Sequence, residues 1–573
     1  MTNMLRTSST TDADRKRHDV HRHWVPLVVF ATFCLYAYLF TFAWQDLLDL
    51  PLPGEAAQAA GWTPERVFDE DRNVDSKIVI PFTQRFSDNE AERLALYLVV
   101  LAAFLSAYYL PLAFKRPALA AWTIIGLSLL YGGPVAAGVC LLHLVVFLLL
   151  HPPGSKTVAL CYGAAAGALG LFALPGIDSY WMGMATVGSS ALGYRFVVQP
   201  LLRVRFLAEA LRWIAVQSAL LFTFGAAITS WWLGWKAWKL PVALLLFFLQ
   251  WQRLILYHID YKDGRIPADA GLTGYLTVFF SPAVIPSPEW NSMVGQGYAY
   301  VHDLFLRREK NAIVLNGVRL LLVALLYLML GEWIRHLLID LFTAHGVDVH
   351  RGSIVSMIRA HLDGERIGTT SVLVTTGLDL VRWTIIFASI DHFRVGLWRL
   401  FGFDMDPNFN KPWMATNLVA FWRRYTFHYR EFLVRAFFYP VFFQSRRLGV
   451  IARLVLATMA ALFVGNMVWG HMIETFFGKG LKIGVLDYYV LSWPYFLLLG
   501  LGVAAAEIRI LKKPKGTRAR RPWTLDRWLP FDLASMYVTV QFYALIHIFI
   551  FPARGATLSD LWELFLIGIG IRF

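Results

Sequence analysis

The hydrophobic positions of this chain form long continuous runs instead of an alternating pattern. A helix needs about 20 apolar residues to cross a bilayer core of about 30 Å, and several runs reach that length. Continuous runs favour helices, because the strands of a membrane barrel alternate apolar and polar positions. We therefore predict an all-α polytopic transmembrane bundle with about 11–15 spans. The predicted spans lie near 24–44, 92–114, 118–151, 157–175, 179–200, 213–235, 239–258, 268–286, 312–341, 370–402, 449–475, 485–508, 530–552 and 556–571.

Polar segments between these runs predict the organisation of the chain. Residues 1–22 form a polar tail, and the acidic stretch 45–91 follows the first run. Basic residues concentrate in the tail and again after the second run, so the positive-inside rule predicts a cytoplasmic N-terminus and an extracytoplasmic 45–91 loop. We expect N-terminal transmembrane helices over 23–200 and a transmembrane core over 201–573.

Composition supports the membrane class and excludes others. Hydrophobic residues make up 57% of the chain, charged residues make up 16%, and the net charge is +14. We attribute the positive charge to Lys and Arg that flank spans, and we predict no nucleic-acid binding. The three cysteines Cys34, Cys140 and Cys161 lack the spacing of metal ligands, and no metal site is predicted.

A charged and aromatic stretch, residues 391–443, lies between two apolar runs. Pro407 and Pro412 interrupt helices, so we predict a broken, partly interfacial helical segment around 407–446. On a continuous helix, Asn417, Arg424 and His428 would share one face, together with Phe421. Arg423 and Arg424 either hold the phosphates of a donor or a lipid, or extend toward the lipid headgroups; the sequence leaves both interpretations open.

A second candidate lies in the next apolar run. His471 and Glu474 are three residues apart and would share a helical face. A carboxylate beside an imidazole orients the ring and stabilises its charged form, which is what a buried general base needs. The alternative is a structural histidine bonded to a backbone carbonyl.

The order of motifs resembles one known family. LWRLFGF, then PNFNKPW, then NLVAFWRRYTFHYREFLVRAFFYP and finally an apolar helix with a histidine are similar to the membrane-bound O-acyltransferase (MBOAT) family. The bacterial alginate O-acetylation and D-alanyl–teichoic acid transfer proteins are the most similar by pattern. The resemblance is best over residues 375–475.

The chain departs from the family pattern at two histidines. Where family members have Arg-Trp-His, this chain has Arg424-Tyr425-Thr426, and His428 stands two positions later. The family's Trp-His-Gly becomes Trp469-Gly470-His471. The resemblance therefore supports the fold of the family more directly than its activity.

The resemblance implies an integral-membrane O-acyltransferase in the bacterial cytoplasmic (inner) membrane. An acyl-CoA or another acyl thioester donates from the cytoplasm, no cofactor is permanently bound, and a hydroxyl of an exported or cell-surface glycan accepts. His471 is the expected general base, with His428 as the alternative, and Glu474 orients His471. An extracytoplasmic partner protein is expected to complete the transfer. The expected substrate-binding residues are Asn417, Arg423, Arg424, Asn466, Trp469 and Asp391.

The sequence leaves two alternatives open. The acceptor is a lipid or a protein, or the chain is a non-catalytic MBOAT-like scaffold or transfer protein. The altered Arg-Tyr-Thr and Trp-Gly-His motifs keep the second alternative open.

Overall fold

The structure is a computed structural model. It describes residues 12–38, 90–131, 255–266, 271–280, 297–472, 483–512, 530–553 and 555–571, together with the single residues 140, 143, 147 and 253. Within these ranges the chain is helical, and its only strand-like pairing is an isolated antiparallel bridge between Phe305 and Phe403.

The helices follow the hydrophobic pattern of the sequence. In chain order they are α1 (Asp12–Tyr38), α2 (Glu90–Tyr109), α3 (Leu112–Tyr131), α4 (Leu272–Phe280), α5 (Tyr298–Leu304), α6 (Lys310–Ala344), α7 (Ile354–Leu362), α8 (Thr369–Leu400), α9 (Leu418–Arg424), α10 (Phe427–Leu433), α11 (Tyr439–Gln444), α12 (Val450–Met459), α13 (Ile483–Lys512), α14 (Pro530–Ile546) and α15 (Leu558–Gly568). Two π-helical stretches, Val434–Phe438 and Ala460–Met472, and two short 3-10 helices, Pro412–Met414 and His547–Phe549, complete the helical elements with assigned bounds.

Five helical stretches in the described part of the chain are long and apolar enough to cross a membrane. They are Lys310–Leu328, Thr369–Leu400, Val450–Met467, Val490–Lys512 and Asp532–Phe549. The chain is therefore a helical, polytopic membrane bundle, as the sequence predicts. The predicted count of spans also includes runs that lie outside the described residues.

One predicted span is wrong. The run 556–571 forms only the 11-residue helix α15, which rises about 16 Å and is too short to cross the apolar core. A capping box at Thr557 begins this helix, because the Thr557 side chain and Asp560 satisfy each other's backbone N–H groups.

The central pair of the bundle is α6 and α8. They approach closely because Gly317 on α6 faces the backbone of α8: a Cβ at Gly317 would lie 2.9 Å from the Gly396 carbonyl oxygen. Small residues permit this approach in membrane helices, where packing and interhelical hydrogen bonds drive association. One such hydrogen bond joins the Ser389 hydroxyl to the Ala324 carbonyl oxygen at 2.6 Å.

The predicted broken segment around 407–446 is confirmed. It comprises the 3-10 helix Pro412–Met414, the short helices α9 and α10, the π-helical stretch Val434–Phe438 and α11. Helix α9 ends at Arg424 and α10 begins at Phe427, because Thr426 between them takes a left-handed backbone conformation with φ of 55°. This break determines which side chains of the segment come together.

Candidate functional site

A chain of buried polar groups connects α8, the loop that follows it and α10. The Asp391 carboxylate on α8 accepts a hydrogen bond from the Asn408 backbone N–H at 2.8 Å. The Asn408 side-chain carbonyl in turn accepts from the His428 backbone N–H at 2.8 Å. Asp391 is 3% exposed, and Asn408 and His428 are both 0% exposed. Each of these hydrogen bonds is buried and therefore costly to break, so together they hold the loop and α10 in one arrangement.

The His428 ring has one nitrogen engaged. Its Nε2 lies 2.9 Å from the Asp406 carbonyl oxygen. A carbonyl only accepts, so Nε2 carries the proton and Nδ1 presents its lone pair. Nδ1 has no hydrogen-bond partner among the described residues, and the ring of Tyr300 packs edge-on at 5.7 Å between ring centroids.

Burial sets the ionisation of this histidine. Loss of hydration lowers the pKa of His428 to about 4, against the opposing effect of the Asp406 carbonyl bond and with a smaller contribution from the Arg253 charge. His428 is therefore neutral at neutral pH. Burial also raises the pKa of the Tyr300 hydroxyl, which stays protonated beside it.

Strain is concentrated where α9 meets α10. Thr426, a β-branched residue, has the left-handed φ of 55° that such side chains rarely adopt. Two loop contacts keep it there: the Phe427 N–H donates to the Asn408 carbonyl oxygen at 3.0 Å, and the Asn410 N–H donates to the Arg424 carbonyl oxygen at 2.8 Å. Strained backbone of this kind persists only where surrounding contacts impose it, and it is frequent at functional sites.

The break makes one sequence prediction wrong. Asn417, Arg424 and His428 do not form one helical stripe, because α9 ends before His428. Asn417 instead caps α9, with its side-chain oxygen accepting from the Ala420 N–H at 2.9 Å. A capping role uses the side-chain oxygen locally.

The two arginines that were predicted to bind phosphate, Arg423 and Arg424, also lie apart from this network. Arg423 is exposed and Arg424 is half-buried. The Arg424 guanidinium donates to the Asn410 carbonyl oxygen at 3.5 Å, which places it over the loop and away from His428. Neither arginine belongs to the buried network.

The second predicted histidine lies on a π-helical run. Ala460–Met472 includes Asn466, which is half-buried. Gly465 on this run faces α10, since a Cβ there would lie 2.9 Å from the side chain of Leu433. The run includes Trp469 and His471, whose side chains lie outside the described part of the structure, as does Glu474 altogether. π-helical insertions are frequent at functional sites.

Sequence reasoning missed Asn408 and Tyr300. Asn408 lies within the PNFNKP loop, and two asparagines between helix-breaking prolines were the available signal. Tyr300 comes from α5, which lies more than 100 residues earlier in the chain and reaches His428 only in the folded bundle. Among the described residues, no group of three or more His, Cys, Asp or Glu side chains is arranged to hold a metal ion.

Comparison with protein-family models and with curated proteins finds no match to this chain. The resemblance of the motifs therefore enters as one support for a proposed function and does not assign the chain to a family.

Proposed function

We propose that the chain is an integral-membrane O-acyltransferase. It transfers an acyl group from a cytoplasmic thioester donor, such as acyl-CoA, to a hydroxyl of an exported or cell-surface glycan. The ordered motifs between 375 and 475 support this proposal, and so does the polytopic helical bundle in which they lie.

The observation that carries the proposal is the buried chain of Asp391, Asn408 and His428. Ionisable and polar groups inside a membrane bundle are expensive, and they usually mark chemistry or a passage. Here Asn408 and His428 belong to the motifs that carry the family resemblance, and Asp391 lies six residues before the first of them. They also hold a neutral imidazole against a strained turn, and the lone pair on its Nδ1 has no partner in the part of the chain that the structure describes.

The reaction requires a base but no covalent enzyme intermediate. The base takes the proton of the acceptor hydroxyl while its oxygen attacks the acyl carbonyl. The new C–O bond forms, the C–S bond breaks, and the departing thiolate receives the proton from the base. Holding donor and acceptor together in a water-poor site supplies much of the acceleration.

We assign the base to His471 and a positioning role to His428. A histidine whose pKa is about 4 is a weak proton acceptor at neutral pH, whereas an effective general base titrates near the working pH. His428 fixes the loop instead, through its backbone N–H and its Nε2. Glu474 orients His471, and Asn466 and Trp469 lie on the same run as that histidine.

Acyl transfer in membranes tests the proposal. Radiolabelled acyl-CoA is supplied to membranes that hold wild type, His471→Ala, His428→Gln or the control His345→Ala, at matched expression. His345 is an exposed histidine whose ring bonds within its own helix. We expect transfer in wild type and His345→Ala, a loss of at least about 100-fold in His471→Ala, and a smaller loss in His428→Gln.

Other outcomes redirect the assignment. Full transfer in His471→Ala with loss in His428→Gln would make His428 the base. Transfer to lipid or protein in place of glycan would change the acceptor class. No transfer from several acyl-CoA donors by folded protein would favour a non-catalytic scaffold, the second candidate, which Thr426 at the family's first histidine position supports.

The cellular setting belongs to the same proposal. We place the chain in a bacterial inner membrane with a cytoplasmic N-terminus, because the basic tail and the basic turn at Lys115-Arg116 flank an acidic loop. The extracytoplasmic partner expected to complete glycan transfer would dock on the 45–91 loop, which lies outside the described residues.

A further inference from the structure

A second polar feature lies on the opposite side of the 404–413 loop from the His428 network. It is a cleft of about 220 Å³ between α6, α8 and this loop. Asn408 turns toward the buried network, whereas Phe409, Asn410 and Lys411 line the cleft. The cleft is thus a separate space that shares only its wall with the site described above.

The lining of the cleft is cationic. Arg319 from α6, Arg399 from α8 and Lys411 from the loop contribute three positive charges, and the lining residues that the structure describes include no carboxylate. Asp404 and Asp406 lie close enough to Arg399 to interact with it, but Asp404 is paired with Arg308 outside the cleft. The net charge around the cleft is therefore positive.

A buried histidine also lines this cleft. His392 lines it from α8, is 7% exposed and packs against Tyr327 in a tilted arrangement with ring centroids 5.6 Å apart. Its Nδ1 has no hydrogen-bond partner among the described residues. A buried polar atom without a partner is destabilising, so the His392 ring gains from a ligand that provides one.

The backbone at Lys411 is held in an unfavourable conformation. Lys411 has a left-handed φ of 49°, which non-glycine residues seldom adopt. A glycine would satisfy this backbone without strain. The lysine side chain at this position therefore has a use that the fold alone does not explain.

The cleft extends into the membrane-spanning part of the bundle. His392 lies eight residues before the end of α8, and Arg319 lies nine residues after the start of α6, which corresponds to about 12 and 13 Å of helix. Leu320, Val323 and Ala388 line the cleft with apolar side chains. The ligand that fits has an anionic head and an apolar chain.

The orientation of the cleft follows from contacts at the start of α6. The Lys310 ammonium donates to the Tyr108 carbonyl oxygen at 3.1 Å, and the Tyr108 hydroxyl donates to Asn311 at 2.8 Å. The start of α6 therefore lies beside the end of α2, which precedes Lys115 and Arg116 near the start of α3. The cations at this end face the leaflet that the positive-inside rule predicts to be cytoplasmic.

We propose that this cleft binds the phosphate group of an anionic amphiphile. A membrane phospholipid headgroup and a water-soluble phosphate share this recognition chemistry. The apolar lining favours the phospholipid, whose phosphodiester would meet Arg319, Arg399 and Lys411 while its chain lies along α6.

Lipid binding to purified full-length protein tests this inference without any acyl-transfer activity. Delipidated protein in detergent is titrated with phosphatidylglycerol or with phosphatidylcholine, and bound lipid is counted by native mass spectrometry. We expect phosphatidylglycerol to bind wild type more tightly than phosphatidylcholine. A second measurement tests whether the ligand is a water-soluble phosphate. The thermal unfolding temperature of the protein is compared in inorganic phosphate and in chloride.

Three variants and one control make the test specific. Arg319→Gln removes an exposed charge. His392→Phe keeps an aromatic ring but removes the ring nitrogens. Lys411→Gly removes a charge and also relieves the strained backbone. Each should weaken phosphatidylglycerol binding by about fivefold or more, and Lys411→Gly should do so without loss of thermal stability. Arg366→Gln removes an exposed charge just before the other end of α8 and should leave binding unchanged.

Each result of these binding experiments either supports or overturns the proposal. Selective loss in the three variants supports the proposal. A phosphate-induced rise in unfolding temperature that Arg319→Gln abolishes, without lipid binding, supports a phosphate site and overturns the lipid source. Equal retention of both lipids, or equal loss in Arg366→Gln, overturns the proposal.

Discussion

Replacing Asn408 with alanine tests the buried network at its middle residue. The Asn408 side-chain oxygen accepts from the His428 N–H at 2.8 Å, and both residues are 0% exposed. Asn408→Ala therefore leaves a buried N–H without its acceptor. Such a loss costs about 1–3 kcal/mol, which corresponds to about a 5- to 150-fold change in a local opening equilibrium.

Hydrogen–deuterium exchange resolved by peptide measures this opening where it occurs. We expect peptides spanning 424–432 to exchange about 5- to 150-fold faster in Asn408→Ala than in wild type. Peptides from α13 and α14 should change little, since they do not bond to this loop through Asn408.

A matched asparagine provides the control. Asn417 also accepts one backbone hydrogen bond, from Ala420, but it caps the start of α9 and is half-buried. Asn417→Ala should cost about 1 kcal/mol and affect the first turn of α9 only. Unchanged exchange at 424–432 in Asn408→Ala, or an effect no larger than that of Asn417→Ala, would refute the network as the element that holds α10.

Three further predictions concern packing, charge and pH. Gly317→Ala should lower the thermal unfolding midpoint by the equivalent of about 1–3 kcal/mol, because its Cβ meets the Gly396 carbonyl oxygen at 2.9 Å; an unchanged midpoint would mean that α6 and α8 separate freely. Arg435→Gln should cost about 3–5 kcal/mol by leaving the buried Asp260 carboxylate without its 2.6 Å partner, and adding Asp260→Asn should restore much of the loss; no rescue would contradict the pairing. The folded pKa of His428, about 4, lies below its unfolded value of about 6.5, so the unfolded chain binds more protons and stability falls as pH drops from about 6.5 to about 4; midpoints across this window should fall less steeply in His428→Gln, and parallel slopes would contradict the burial effect.

The sequence predicted that the protein is a helical membrane bundle, and it predicted most of the long helices. Runs near 312–341 and 370–402 became α6 and α8, because a continuous apolar run of that length has one stable form in a membrane. Prolines at 407 and 412 also predicted that the following segment is broken. The short helix α15 shows the limit, since an apolar run gives no signal where its helix stops.

The arrangement of the site depends on tertiary contacts, which the spacing of residues along the sequence does not predict. The stripe through Asn417 and His428 assumed one helix, but the 408–410 loop imposes a left-handed turn at Thr426 and rotates His428 away. His392 and Arg319 meet only because α6 and α8 pack side by side. Local pattern predicts helices well, whereas tertiary contacts decide which polar groups share a cavity.

The most direct measurement of the central claim is where an acyl donor binds. Hydrogen–deuterium exchange is compared with and without a non-reactive acyl-CoA analogue in which the thioester sulfur is replaced. We predict that the analogue slows exchange in residues 404–433 and in the run that carries His471. Protection confined to other parts of the chain, or none at saturating analogue, would contradict the assignment of this segment as the acyl-transfer site.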